Sequence, residues 1–325
     1  MIRHRLIPLL MVLSWTMAAC GRTAPASNGL TAIRLPMGYI PNVQYAPFYV
    51  GVDQGFFADE GLTLDFDYAF ETDGIALVGA NELPFTLASG EQVLLARAQG
   101  LPVVYVMSWW TDFPVAVAAP ADSGIEAPQD LRGKTIGIPI LGGASYIGYR
   151  ALLQANGLPE DAARLEVIGF TQVEALLARR VDAVVVYTNN EPIQLAAQGM
   201  PVTLLRVADY VHLASNGLVT NETTLREHPD LVRGMVAATL RGIKAALADP
   251  EAAYQTCMAF VEGLDQADQD VQREILTTSM NFWSSDSPGY SDPEAWKNME
   301  QVLRDMGLLT TPLDPTLAYT NEFLP

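Results

Sequence analysis

The chain has 325 residues, half of them hydrophobic and 17% charged, which is enough apolar material for two cores and too much for a disordered polypeptide. Its 37 acidic and 19 basic residues leave a net charge of −18, which argues against a nucleic-acid partner, because phosphate binding needs clustered Lys and Arg. Two cysteines outside any CxxC pattern and three histidines exclude a disulfide framework and leave little material for a metal centre.

Residues 1–19 read as a secretory signal, with Arg3, His4 and Arg5 as the basic region and residues 6–15 as the apolar one. That run is too short to span a bilayer stably. Met17-Ala18-Ala19-Cys20 then resembles a bacterial lipoprotein cleavage site, with Cys20 as the residue that receives lipid. Residues 20–30 contain Pro, Ala, Ser and Asn and suit a flexible stalk, so the expected mature chain is tethered to the membrane by its lipid anchor.

Beyond the stalk, strand-length apolar runs alternate with helical stretches. Residues 32–37 read as a strand, 46–60 as a helix closed by Gly61, and 62–68 as a half-exposed strand. Strands at 84–88 and 102–108 flank a helix at 91–99. This βαβ rhythm predicts parallel strands with crossover helices. After a strand at 115–119 and a polar stretch at 121–133 the rhythm restarts. Strands are expected at 135–140, 165–169, 182–187 and 202–207, and helices at 145–156, 172–180 and 191–198. A last strand at 216–220 precedes a helical tail from 225 to 309, with Pro250 and Gly263 as breaks. Two α/β lobes with a ligand cleft between them are the expected outcome.

Polar and aromatic side chains gather where these strands end. Tyr39, Asn42 and Tyr45 lie on a loop that opens a helix, and can offer flat faces and hydrogen bonds. Ser89 ends a strand between Ala88 and Gly90, small residues that leave room for a ligand. Trp109 and Trp110 end another strand, where alternation sends one toward the cleft and the other into packing. In Gly142-Gly143-Ala144-Ser145-Tyr146, the glycines permit close backbone approach and Ser145 can cap or bind; the Lys-Ser/Thr pair of a P-loop is missing. Tyr187, Asn190 and Glu191 follow a further strand, and Glu191 is the expected acidic contact. Glu91 is expected to serve only the dipole of its own helix. No GxSxG, HExxH or GxGxxG sequence occurs, so the chain is expected not to be an enzyme.

The segment from Gly38 to Gly51, GYIPNVQYAPFYVG, and Gln54-Gly55-Phe56-Phe57-Ala58-Asp59-Glu60-Gly61-Leu62 resemble the opening of ABC-importer substrate-binding proteins of one family. That family binds thiamin pyrimidine precursors and includes sulfonate- and riboflavin-binding branches. Gly90-Glu91-Gln92-Val93-Leu94, Pro128-Gln129-Asp130-Leu131-Arg132-Gly133-Lys134, Val181-Asp182-Ala183 and Asn190-Glu191-Pro192 continue the resemblance, which spans about residues 32 to 310. It implies an α/β, two-lobe, type II periplasmic-binding-protein (Venus flytrap) fold with two crossing strands. Lobe 1 would comprise residues 31–120 and 215–325, with the helical tail packed on it, and lobe 2 residues 121–214. It further implies an ABC permease and its ATPase as partners, a place on the extracytoplasmic face of the cell membrane, and no cofactor or metal. In pyrimidine-binding relatives the acid of the Asn-Glu-Pro context holds amino or ring N–H groups, which is the role implied for Glu191. Pyrimidine-precursor synthases share the fold, but their cysteine-rich iron motif is missing here.

The cleft segments hold almost no Lys or Arg, which disfavours a small strong anion. Tyr39 stands where pyrimidine binders usually have tryptophan, and Ala88-Ser89-Gly90 replaces bulkier residues; both changes enlarge the pocket. Trp109-Trp110 supplies a plate for a broad ring. Riboflavin is therefore the expected ligand, a small heteroaromatic vitamin. A thiamin pyrimidine precursor of the hydroxymethylpyrimidine or formylaminopyrimidine type is the alternative, and a synthase-like enzyme stands behind both.

Overall fold

The structure, a computed structural model, describes residues 29–325. The expected signal, Cys20 and the stalk up to Asn28 lie outside the described residues.

The first lobe opens with β1 (Thr31–Pro36), α1 (Ala46–Asp53), α2 (Phe56–Asp59) and β2 (Leu62–Asp67), with β1 and β2 paired in parallel. The single helix expected over 46–60 is divided because Gly55 takes a left-handed conformation, φ +74°, which interrupts the ladder of helical hydrogen bonds. Next come α3 (Glu71–Gly79), β3 (Thr86–Ser89), α4 (Gly90–Ala98) and β4 (Val103–Ser108). Helix α3 is absent from the sequence expectation, since Gly74 and Gly79 lower its helical propensity. Packing explains the glycine: a Cβ on Gly74 would stand 2.1 Å from Thr86 Oγ1, so only glycine lets α3 lie this close to β3.

The second lobe contains β5 (Val115–Pro120), β6 (Thr135–Ile138), α5 (Gly143–Ala155), β7 (Arg164–Val167), α6 (Gln172–Leu177), β8 (Ala183–Tyr187), α7 (Glu191–Ala197) and β9 (Val202–Arg206). Its five strands run in the order β7-β6-β8-β5-β9. The chain then returns as β10 (Asn216–Asn221) between β3 and β4, followed by α8 (Glu222–Glu227), α9 (Pro229–Ala248), α10 (Pro250–Cys257), α11 (Gln269–Trp283) and α12 (Pro293–Asp305).

Three expectations need correction. The two larger sheets are not parallel throughout: β5 runs antiparallel to β8 and β9, and β10 antiparallel to β3 and β4, because each enters its sheet from the opposite lobe. The boundary drawn at residue 120 falls too late, since β5 already pairs within the second sheet and the chain crosses before Val115. The tail is also not confined to the first lobe. Helix α9 packs along α1 and α12 against α4, but α11 touches both the 3-10 turn Val43–Tyr45 and α7 of the second lobe.

Burial of apolar surface explains why the lobes hold together. One core cluster joins Val93 and Tyr105 of the first lobe to Val115 and Ile136 of the second and to Trp296 of α12. Another joins Phe48, Trp109 and Trp110 to Met235 and Trp283 of the tail. No helix among the described residues is long and apolar enough to cross a membrane.

Candidate functional site

The ends of β1, β8 and β10 and the start of α5 converge on a cleft between the lobes, with about 800 Å³ of atom-free space that is partly open to solvent. Its shape follows from the backbone. After β1, Gly38 adopts φ +82°, and a Cβ there would meet Glu71 Cγ at 2.8 Å. This turn brings Tyr39 to face the second lobe. Opposite, Gly143 at φ +65° opens α5, and the first residues of that helix, Gly143 to Ser145, line the cleft.

Aromatic rings form the walls. Tyr45 stacks on Trp109 at 5.3 Å with an 18° interplanar angle, and Phe48 meets Trp109 edge-on at 5.6 Å. Trp109 lines the cleft, whereas its neighbour Trp110 stacks on Phe282 in the core at 4.7 Å. Trp109 is only 4% exposed, and Tyr45 already lies against its ring, so less of it faces the cleft than the sequence suggested. Across the cleft, Tyr39 meets Phe170 edge-on at 4.7 Å, and Phe170 meets Phe70 at 5.3 Å. Sequence reasoning missed both phenylalanines. Phe170 stands after the β7 run in a loop that offers no periodic signal, and Phe70 immediately precedes the unforeseen α3.

The polar lining forms two groups, one centred on the buried Glu191 and the other on the half-buried Glu71. In the second lobe, Glu191 Oε2 accepts the Tyr187 backbone N–H at 3.0 Å, and Oε1 accepts Asn190 Nδ2 at 3.1 Å. The Tyr39 hydroxyl reaches across from the first lobe to Glu191 Oε1 at 3.5 Å. Burial raises the Glu191 pKa above the ordinary carboxyl value, and these hydrogen bonds partly offset the rise. Burial, then the Glu191 charge, likewise pushes the Tyr39 phenol upward. In the first lobe, Glu71 Oε1 accepts Asn216 Nδ2 at 2.7 Å, and Oε2 accepts the Ser89 backbone N–H at 3.1 Å. Asn216 Oδ1 in turn lies 3.3 Å from the Tyr187 hydroxyl of the second lobe. Glu71 and Asn216 were missed as well. An acid at the first position of a helix that is itself not foreseen gives no sequence signal.

Of the residues singled out from sequence, Tyr39, Tyr45, Trp109, Gly143, Ser145, Tyr187, Asn190 and Glu191 line the cleft. Three do not. Asn42 Oδ1 caps the following 3-10 turn by accepting Gln44 N–H at 3.0 Å, and the residue lines a neighbouring hollow. Ser89 is fully buried behind the wall, between Glu71 and Glu91. Tyr146 points away along α5, where its hydroxyl accepts from Arg150 at 2.7 Å. Glu91 lies outside the cleft lining and is fully buried.

Two α/β lobes, crossed twice by the chain and separated by this cleft, make the protein one of periplasmic-binding-protein fold. It belongs to the NMT1/THI5-like family, whose model matches residues 42–253. The riboflavin-binding protein RibY of Chloroflexus aurantiacus is 40% identical over 321 residues, covering 95% of this chain and 92% of that one. A formylaminopyrimidine-binding protein of Halalkalibacterium halodurans is 26% identical over 305 residues, covering 91% of each chain. The alkanesulfonate-binding protein SsuA from Xanthomonas axonopodis pv. citri, bound to MOPS, shares the fold with a TM-score of 0.71 at 13% identity, covering 91% of this chain and all of that one.

Proposed function

We propose that the chain is the substrate-binding component of an ABC importer, that it captures riboflavin in the interlobe cleft, and that it hands the vitamin to a membrane permease driven by its ATPase. The observation that carries this reading is the lining itself. It combines aromatic walls with Asn, Tyr, Ser and Glu and, among the described residues, contains no Lys, Arg or His. A planar, uncharged ring with an imide edge suits such a surface; a sulfonate, which calls for cationic partners, does not. The full-length similarity to a protein named for riboflavin binding supports the same choice.

The work is capture, and no bond is made or broken. In the open state the ring enters between Tyr39 and Phe170. Glu191 accepts a ring N–H, and the first N–H groups of α5, at Gly143 to Ser145, donate to carbonyl oxygens. Closure then rests on contacts unique to the closed lobes, such as Tyr39 to Glu191 and Tyr187 to Asn216. Acylation at Cys20 would hold the protein on the extracytoplasmic face beside its permease.

The test is a fluorescence titration of the protein without its lipid, using Trp109 in the cleft wall as the reporter. Riboflavin should quench it saturably. Absence of riboflavin quenching, with saturable binding of an aminopyrimidine instead, overturns the reading.

A further inference from the structure

Behind the first-lobe wall, Ser89 Oγ lies 2.5 Å from Glu71 Oε2 and also within hydrogen-bonding distance of Glu91 Oε1. A serine hydroxyl carries one hydrogen and can donate to only one of these oxygens. The second oxygen–oxygen contact needs a hydrogen from the carboxyl side, and two ionised carboxylates have none to give. The surrounding donors show where that hydrogen sits. Glu71 accepts from Asn216 Nδ2, from the Ser89 N–H and from the Ser89 hydroxyl, so it is the ionised partner. Glu91 has a 3.3 Å contact from Gln92 Nε2, and its Oε2 is buried without a partner, which a neutral acid tolerates far better than a carboxylate.

We infer that Glu71 is a second acidic recognition residue of the cleft and that Glu91, a positioning residue out of the ligand's reach, sets the charge of Glu71 by sharing one proton with it through Ser89. The Glu91–Ser89–Glu71 chain thus carries a single negative charge, presented to the cleft at Glu71. With Glu191 opposite, each lobe contributes one acceptor carboxyl. The ligand class this selects is uncharged and bears N–H or hydroxyl donors on two sides; a phosphate ester of the same molecule is repelled at both. Burial raises the pKa of both acids; the bonds from Ser89 and Asn216 offset the rise at Glu71, whereas burial and then the Glu71 charge carry Glu91 to about 8. The titratable groups facing the pair are Tyr45 beside α1, Tyr105 on β4 and Tyr187 on β8, all raised by burial, with Glu191 beyond Tyr187. Above that pH the shared proton leaves, the two carboxylates oppose each other across one serine, and the cleft loses its set geometry.

The ligand half of this inference rests on the flavin reading; the proton half does not. Riboflavin affinity of the full chain is measured between about pH 6 and about pH 9 for the parent, Glu71→Gln and Glu91→Gln. The parent should lose affinity through the upper part of this range. Glu91→Gln, whose amide donates permanently to Ser89, should show a flat profile, and Glu71→Gln should bind roughly tenfold more weakly. An alkaline loss that persists in Glu91→Gln, or an unaltered affinity in Glu71→Gln, overturns the proposal. Infrared spectra of the ligand-free parent give an independent readout. A protonated carboxyl band at neutral pH that vanishes on alkalinisation and is missing from Glu91→Gln is expected; its absence from the parent, or its persistence in Glu91→Gln where Glu191 alone would give it, overturns the shared proton. Failure of the parent to bind riboflavin at any pH, with that band present, removes only the flavin reading.

Discussion

Tyr39 joins the lobes by two separable means, a hydroxyl directed at Glu191 and a ring set edge-on to Phe170. Tyr39→Phe keeps the second and should weaken riboflavin binding only a few-fold, by about 0.5–1.5 kcal/mol. Tyr39→Ala should remove a further 0.5–1.5 kcal/mol or so of aromatic contact. Fluorescence titration of both variants separates the two contributions. Trp109→Ala behaves differently. The ring is packed between Tyr45 and Phe48, so its removal should cost about 3–5 kcal/mol of folding stability, read by urea denaturation, in addition to any loss of binding. Glu91 adds a pH dependence to stability. Its pKa stands above the ordinary 4.5, at about 8, so between these values the unfolded chain releases a proton that the folded chain keeps. Its contribution is therefore intact below about pH 4.5 and lost as the pH rises toward 8, and Glu91→Gln should flatten that segment of the urea-midpoint profile. At this scale the sequence revealed residues with a visible motif, such as Glu191 in Asn-Glu-Pro or the glycines before Ser145. Glu71, Asn216 and Phe170 were hidden because their roles depend on which elements meet in space.

Among the elements, α3 shows how packing overrides propensity. Two glycines in nine residues speak against a helix, yet Gly74 is what allows α3 to lie on β3 and thereby deliver Glu71 to the cleft. Gly74→Val should force a clash with Thr86 and destabilise the fold by about 1–3 kcal/mol, again by urea denaturation. Riboflavin affinity should fall with it, because Glu71 is the first residue of the same helix. Strand and helix positions were legible from hydrophobic spacing almost throughout. Strand direction at β5 and β10 was not, because a βαβ rhythm reports the local connection and says nothing about a strand that arrives from the other lobe. The same blindness set the lobe boundary on the wrong side of β5.

For the molecule as a whole, charge and cleft chemistry act together. A net charge of −18, two cleft acids and no cation among the described lining residues should make flavin mononucleotide a poor ligand. Parallel titrations should show it at least roughly tenfold weaker than riboflavin, with the gap narrowing as salt screens the field. The export and anchoring expected from the N-terminal sequence belong to this scale too. Cys20→Ser should move the protein from the membrane fraction to the soluble one, as immunoblotting of fractionated cells would show. The order of chain assembly carries a last consequence. Close to its end the polypeptide lies alongside β4, where Tyr105 N–H donates to the Ala318 carbonyl and Thr320 N–H to the Tyr105 carbonyl. Meanwhile β10 sits between strands made more than a hundred residues earlier. A partly synthesised chain therefore lacks the pieces that seal its first lobe, and stays unlocked until residues 318–320 have been made. For a polypeptide carrying the export signal expected at its N-terminus, late locking would keep the chain pliable for the passage and postpone its rigidity to the far side.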